Sequence, residues 1–229
     1  MLVKLTGNEK SIYDLPPVLR DMRVDGILIS GAITAESAEL IRTLGIQSVV
    51  IGNYSEHLLG SLSSVQAKLG LSVSETVEKL FEQGKRHIAF VEEAPDNYAS
   101  NLIFEGYRHA LKDFGLPFDE SICYFGHGVR SGIFDVMKPV FRRKKLPFDS
   151  ILCSDMRIAR EISHLLIGHF GLDREITVTI ATLRQYDYYV LPVPAIYTDL
   201  NVEKRVDAAF IQLVDQIEGK KSSQTIMIQ

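Results

Sequence analysis

The sequence predicts an α/β fold built on parallel sheets, and three observations carry that expectation. Short apolar runs of strand length recur along the chain. Amphipathic segments of helical length separate them, several closed by glycine, as at Gly45 and Gly84. Several runs end in a small polar residue or a carboxylate where the next helix begins, as in Asp149-Ser150-Ile151-Leu152-Cys153-Ser154-Asp155. Strands alternating with helices are the pattern of βα units. In such sheets ligands collect at the carboxyl ends of the strands.

Taken in order, residues 2–5 read as a strand and 12–22 as a helix whose start is delayed by Pro16 and Pro17, since proline is tolerated only in a helix's first turn. A strand is expected over 26–29, a helix over 35–44 stopped by Gly45, and strands over 48–51 and 63–67. A helix over 72–83 precedes a strand over 87–91. The helix over 99–114 sets Leu102, Ile103, Tyr107, Ala110 and Leu111 at helical spacing. A strand over 122–125, a helix over 131–143 ending in Arg142-Arg143-Lys144-Lys145, a strand over 150–153 and a helix over 156–169 follow. Strands over 177–180 and 195–197, a long helix over 202–218 and a strand over 225–228 complete the pattern.

The 229 residues suffice for one large domain or two small lobes, and periodicity alone does not separate the two. Net charge is −4, the wrong sign for a surface that grips nucleic-acid phosphates. Cys123 and Cys153 sit in apolar strand runs and read as reduced, buried thiols. The histidines show no zinc spacing, so no metal and no cofactor is expected. The first residues lack the apolar core and cleavage site of a signal peptide, and no apolar run reaches membrane-spanning length, so a cytoplasmic location with no membrane partner is expected.

Catalytic motifs are missing from the sequence: no Gly-x-Ser-x-Gly elbow, no Walker loop and no Gly-x-Gly-x-x-Gly. The chain is not expected to be an enzyme. Glu92-Glu93 follows a strand, but adjacent residues on an extended chain face opposite ways, so a solvated loop is expected there. The basic run Arg142–Lys145 suits a helix C-terminus without any nucleic acid.

Several segments in order carry a resemblance: Val24-Asp25-Gly26-Ile27-Leu28-Ile29-Ser30-Gly31, Gly45-Ile46-Gln47-Ser48-Val49-Val50-Ile51, Gly84-Lys85-Arg86-His87-Ile88-Ala89-Phe90-Val91, Gly106-Tyr107-Arg108-His109-Ala110-Leu111 and the Asp149–Asp155 stretch. Over nearly the whole chain this set resembles the effector-binding domain of lactose-repressor/galactose-repressor (LacI/GalR) family transcription regulators. The resemblance implies two doubly wound parallel-sheet lobes of the periplasmic-binding-protein-like type I with a ligand cleft between them. It assigns residues 1–69 and 199–219 to one lobe, and 70–198 and 220–229 to the other. It also implies that the family's helix-turn-helix, and the first strand and helix of its sensing domain, are absent from this chain. The absent strand is central in the family's sheet, so unpaired backbone groups are expected beside it.

Carried over residue by residue, the resemblance puts Ile103 where the family has a sugar-binding Arg, and Thr182 where it has a sugar-binding Asp. Ser154-Asp155 stands for an Asn-Asp pair, Lys68-Leu69 for Asp-Asn and Gly52-Asn53 for Asp-Arg. Losing these charged partners argues against a simple pentose or hexose in the family's usual pose, because sugar hydroxyls need such groups. The candidate ligand-binding residues are Ser30, Asn53, Asn97, Asn101, Ile103, Ser154, Asp155, Thr182, Arg184 and Asp199, with Arg157 beside them. Each has a plainer role open to it: a turn, a helix cap, a solvated charge or, for Arg157 and Arg184, contact with a partner chain. Asp155 is first of all an N-cap.

The function implied is effector sensing and dimerisation in a DNA-binding transcriptional regulator. A small effector, carbohydrate-like or altered, shifts the equilibrium between lobe arrangements. Operator DNA is contacted only through the helix-turn-helix that this chain lacks. The homodimer is expected to use the helix from Arg157 and the loop Tyr186–Leu191. A transporter's solute-binding protein and a partner-binding module with a decayed cleft are the alternatives.

Overall fold

The computed structural model describes residues 14–21, 23–31, 33–93, 97–126, 132–171, 176–184, 190–220 and 222–229. The chain divides into two compact units, Met1–Ala67 with Asn201–Ile228, and Lys68–Leu200 with Gln229. The expected strand over 2–5 lies outside the described residues.

The first unit holds α1 (Pro17–Arg20), β1 (Gly26–Ser30), α2 (Ala35–Leu44), β2 (Gln47–Ile51), α3 (Glu56–Leu59), β3 (Ser63–Ala67), α8 (Val202–Ile217) and β9 (Thr225–Ile228). Its strands form a parallel sheet in the order β1-β2-β3-β9. Alternation along β2 serves both faces. Val50 packs with Ile29, Ala38, Ile41 and Leu59 beneath α2 and α3, while Val49 packs with Val65, Ala209 and Leu213 beneath α8. Thr34 and Ser37 make a reciprocal capping box that fixes the start of α2. Ser55 caps α3, a short helix the periodicity did not reveal. Arg42 reaches from α2 to the carbonyls of Leu58 and Leu59 at 3.2 and 3.0 Å, satisfying the end of α3.

Two features of this unit, the length of α1 and the place of β9, differ from expectation. The helix expected over 12–22 is described only as Pro17–Arg20, with no side-chain cap at Pro16. β1 pairs with β2 along all five residues, Gly26↔Gln47 to Ser30↔Ile51, and is the terminal strand of the sheet among the described residues. The C-terminal strand was expected in the other lobe. β9 instead joins the first unit, in register with β3 from Ser64↔Thr225 to Ala67↔Ile228. Polar contacts decide this. The Ser64 and Thr225 hydroxyls lie 3.1 Å apart, Gln224 N donates to Ser63 Oγ at 3.2 Å, and Gln212 Nε2 donates to the Gln224 carbonyl at 2.7 Å. Ser63, Ser64, Gln212 and Gln216 are buried, and buried polar groups must be paired, so the strand that pairs them is selected.

The second unit runs α4 (Leu69–Glu82), β4 (Ile88–Glu92), α5 (Tyr98–Asp113), β5 (Cys123–Phe125), α6 (Gly132–Met137), β6 (Ser150–Cys153), α7 (Met156–Phe170), β7 (Thr179–Arg184) and β8 (Ala195–Asp199). Its sheet is parallel in the order β5-β4-β6-β7-β8. Every residue of β4 and β6 is buried, as expected of central parallel strands covered on both faces. Ala89, Val91, Ile151 and Cys153 face a core built with α6 and α7. Phe90 on the opposite face stacks with Tyr107 of α5, centroids 5.1 Å apart. The Tyr107 hydroxyl donates to the Ile88 carbonyl at 2.7 Å, and burial pushes its pKa well up. Both cysteines are free. Cys153 is fully buried, but Cys123 is only half-buried, its thiol pushed up to about 11 chiefly by burial.

The helix expected over 131–143 is shorter. α6 ends at Met137, Pro139 follows, and Val140–Arg142 forms one 3-10 turn. Proline removes a backbone donor and crowds the preceding turn, which ends the helix there. The basic run Arg142–Lys145 is therefore an exposed turn leading into β6, not the end of an α-helix.

α4 and α5 pack closely, and Gly106 marks their closest approach. A Cβ there would meet the Gly70 Cα at 3.0 Å and the Val73 Cβ at 3.4 Å. Gly106→Val is expected to lower stability by about 1–3 kcal/mol through overpacking against backbone that cannot yield. Urea denaturation at constant m-value measures it.

Candidate functional site

The topology of the second unit defines a crevice. From β4 the chain passes through α5 to β5 on one side. From β6 it passes through α7 to β7 on the other side. The connections leaving β4 and β6 thus diverge, and the carboxyl ends of these two neighbours form the switch point where α/β sheets bind ligands. Glu92 closes β4, with Glu93 next in the chain, and Ser154-Asp155 follow β6. Ser154 N donates to the Val91 carbonyl at 3.2 Å, fastening the two ends together.

Asp155 is the N-cap of α7, accepting from Ile158 N at 2.9 Å, as its place before an amphipathic run implied. Its carboxylate also meets the Arg157 guanidinium at 3.4 Å. Arg157 forms a closer ion pair with Glu93. Burial alone would lower the Arg157 pKa, but Asp155, Glu93 and Glu161 outweigh it and raise it. Ser154 is buried, and its hydroxyl oxygen has no hydrogen-bond partner among the described residues. A buried hydroxyl in that state is a poised donor and acceptor at the mouth of the crevice.

Glu92 and Glu93 correct the expectation of a solvated loop: they are 5% and 4% exposed. Glu92 Oε1 accepts from Glu93 N at 2.8 Å. Gly126, just past β5, closes over Glu93. Its N–H donates to the Glu92 carbonyl at 2.8 Å, and a Cβ on it would sit 3.1 Å from the Glu93 Cα. Glycine's missing side chain lets the neighbouring strand end seal the pair in. Nothing local to Glu92-Glu93 signals this; the glycine lies more than thirty residues away in sequence.

The remaining candidates divide. Asn97 caps α5, accepting from Ser100 N at 2.8 Å, and Asn101 is exposed one turn along. Both start the helix leaving β4 and so belong to the same edge of the sheet. Ile103 is buried on the stripe of α5 that includes Ser100, Tyr107, Ala110 and Leu111. Thr182 is wholly buried within β7, and its hydroxyl donates to the Leu183 carbonyl at 3.3 Å. Arg184 and Asp199 stand opposite each other in register at the ends of β7 and β8.

In the first unit, Ser30 ends β1 exposed. Asn53 follows β2 and clamps Ala67: Nδ2 donates to the Ala67 carbonyl at 2.7 Å, and Oδ1 accepts from its N–H at 3.2 Å. That bidentate contact continues the β2–β3 ladder past the end of β2, a structural role that any ligand contact would have to share. The Tyr54 hydroxyl donates to the Gly31 carbonyl and braces the same edge. The interface loop expected over 186–191 lies largely outside the described residues.

Among the described residues no group of three or more His, Cys, Asp or Glu side chains is placed to hold a metal. No described helix is long and apolar enough to cross a membrane.

Removing Arg157 leaves Glu93 buried without that cation. Arg157→Ala is expected to cost about 1–2 kcal/mol, below a fully buried pair because the guanidinium is half exposed. The double variant with Glu93→Gln should cost less than the sum of the two single changes, and a double-mutant cycle in urea measures the difference.

No family model and no curated protein matches the chain. Solved structures do. A regulatory protein of the LacI family from Chloroflexus aggregans superposes with TM-score 0.74 at 18% identity, over 93% of this chain and 76% of its own. The Escherichia coli transcriptional repressor AscG gives TM-score 0.68 at 18% identity, over 91% and 76%. The transcriptional regulator CelR, solved as a cellobiose complex, gives TM-score 0.68 at 18% identity, over 90% and 63%. The chain has the periplasmic-binding-protein-like α/β fold that these LacI-family regulators share.

Proposed function

We propose that this chain is the effector-sensing and dimerising part of a LacI-family transcription regulator. One observation carries the reading: a fold shared with such regulators over about nine-tenths of the chain, with a polar switch-point crevice at the carboxyl edge of the second unit's sheet. Ser154 and Asn101 are the second-unit groups best suited to meet an effector there, with Asp155 and Asn97 holding the helix starts; Arg184, at the end of β7, stays a candidate by its place in the sheet alone. Ser30, Asn53 and Asp199 are the further polar candidates. An effector that binds one conformation better than another shifts their populations, and the regulator reads that shift.

The effector differs from a plain monosaccharide in this proposal. Ile103 offers no hydrogen bond and Thr182 spends its hydroxyl inside the sheet. Beside them, Glu92 and Glu93 bring buried carboxylates to the crevice.

Thermal-shift titration tests this. A true effector at a hundred times its dissociation constant adds about 2.7 kcal/mol to stability, a shift readily seen. Ordinary pentoses and hexoses are expected to give no such shift, and Ile103→Arg alone should not create one, because a lone buried cation is costly. A strong shift with a simple sugar on the unmodified chain would overturn the assignment of Ile103 and Thr182. The chain by itself is expected to give no sequence-specific band in a mobility-shift assay, because its net charge of −4 opposes phosphate binding.

A further inference from the structure

The crevice of the second unit sets a buried hydroxyl beside a surplus of carboxylates. Phe90 stacks on Tyr107 of α5, so Glu92, two residues further along β4, projects to the same α5 face of the sheet. β4 and β6 run in register from Ile88↔Ser150 to Val91↔Cys153. The Ser154 N–H carries that ladder one step on by donating to the Val91 carbonyl. Ser154 is therefore the neighbour of Glu92 on the α5 face, one strand spacing away. Glu92 is 5% and Ser154 7% exposed. The Ser154 hydroxyl has no hydrogen-bond partner among the described residues. A native fold rarely leaves such a buried group unanswered, and a ligand atom standing between it and Glu92 answers it.

Charge points to the kind of ligand. Arg157 is shared between Glu93, Asp155 and, one turn along α7, Glu161, whose Oε2 is buried without a hydrogen-bond partner among the described residues. One guanidinium thus serves three carboxylates, and Glu92 stands beside them. Arg184 and Asp199, in register at the ends of β7 and β8, add one base and one acid. An ionised carboxylate only accepts hydrogen bonds, whereas an ammonium group only donates them, with three hydrogens to give. A crevice lined by charge of one sign also concentrates ions of the other. Resting on the reading of this crevice as an effector site, we propose that the effector carries an amine, bound as its ammonium ion between Glu92 and the Ser154 hydroxyl. Glu93 and Asp155 add negative potential from the adjoining strand ends. The ligand class is a small polar amine, such as an amino sugar. Its ammonium gains a charge attraction that a sugar hydroxyl in the same place lacks.

Matched compounds test this on the full chain by thermal shift and isothermal titration calorimetry. The pairs are glucosamine against glucose and N-acetylglucosamine, galactosamine against galactose, and putrescine against the corresponding diol. An amine of this panel is expected to bind, and its neutral partner to bind at least about tenfold more weakly. Glu92→Gln keeps the Oε1 acceptor for the Glu93 N–H, so the local fold is retained. It should weaken the amine at least about tenfold and narrow its margin over the neutral partner. Ser154→Ala removes a hydroxyl that makes no hydrogen bond among the described residues. The unliganded melting temperature should therefore hold while amine affinity falls. Binding by no amine of the panel overturns the inference. A neutral compound that binds as tightly as its amine, and is weakened by Ser154→Ala, overturns the inference and leaves the effector reading standing. An amine whose binding is indifferent to both substitutions sits outside the crevice, which overturns both.

Discussion

The parallel pairing of β4 with β6 governs the second unit. Both strands are buried along their whole length, so neither can move to an edge without exposing Phe90, Val91, Ile151 and Leu152 to water. With β4 and β6 central, their outgoing connections run in opposite directions and leave a crevice at the carboxyl ends. The position of Ser154 and Asp155 follows from that topology and not from any local preference of Ser-Asp. The same pairing brings Glu93 within reach of Arg157, although sixty-four residues separate them.

Polar satisfaction does comparable work where apolar burial is thin. β9 is exposed on alternate residues and contributes little to any core, yet its place is specified by hydrogen bonds through Ser63, Ser64, Gln212 and Gln224. Gln216 joins the seam by donating to Ser63. An unpaired buried amide or hydroxyl costs on the order of 1–3 kcal/mol, so a strand that completes such a seam is held against competing positions. Asn53 does the same at the other end of β3, and Gly126 lets the Glu92-Glu93 carboxylates be enclosed. The frame around the candidate site is therefore shaped largely by the pairing of buried polar groups, while the Ser154 hydroxyl at the crevice is left without a partner among the described residues.

Much of this architecture is legible in the chain. Strand and helix alternation follows from hydrophobic period, and the limits of α2, β3, β6 and β9 coincide with their apolar runs because caps and glycines punctuate them. The cap role of Asp155 is readable for the same local reason, whereas Asn97 reads as part of a loop and is found to cap α5. Boundaries fail where a breaker intervenes: Pro139 cuts α6 short, and the proline-led α1 is a single turn.

The sequence by itself determined the α/β class, the order of most elements and the carboxylate at the start of α7, because these depend on side chains within a few residues of one another. Only the tertiary structure decided that β9 belongs with β3, that β1 pairs directly with β2, that Thr182 is sealed within β7, and that Glu92 and Glu93 are buried. Each of those outcomes is set by partners far away along the chain: a serine pair on β3, the β2 ladder, the strands on either side of β7, and a glycine at the end of β5. Periodicity reports which face of an element is apolar. It carries no information about which distant polar group will answer a buried one, and that pairing shapes the candidate site.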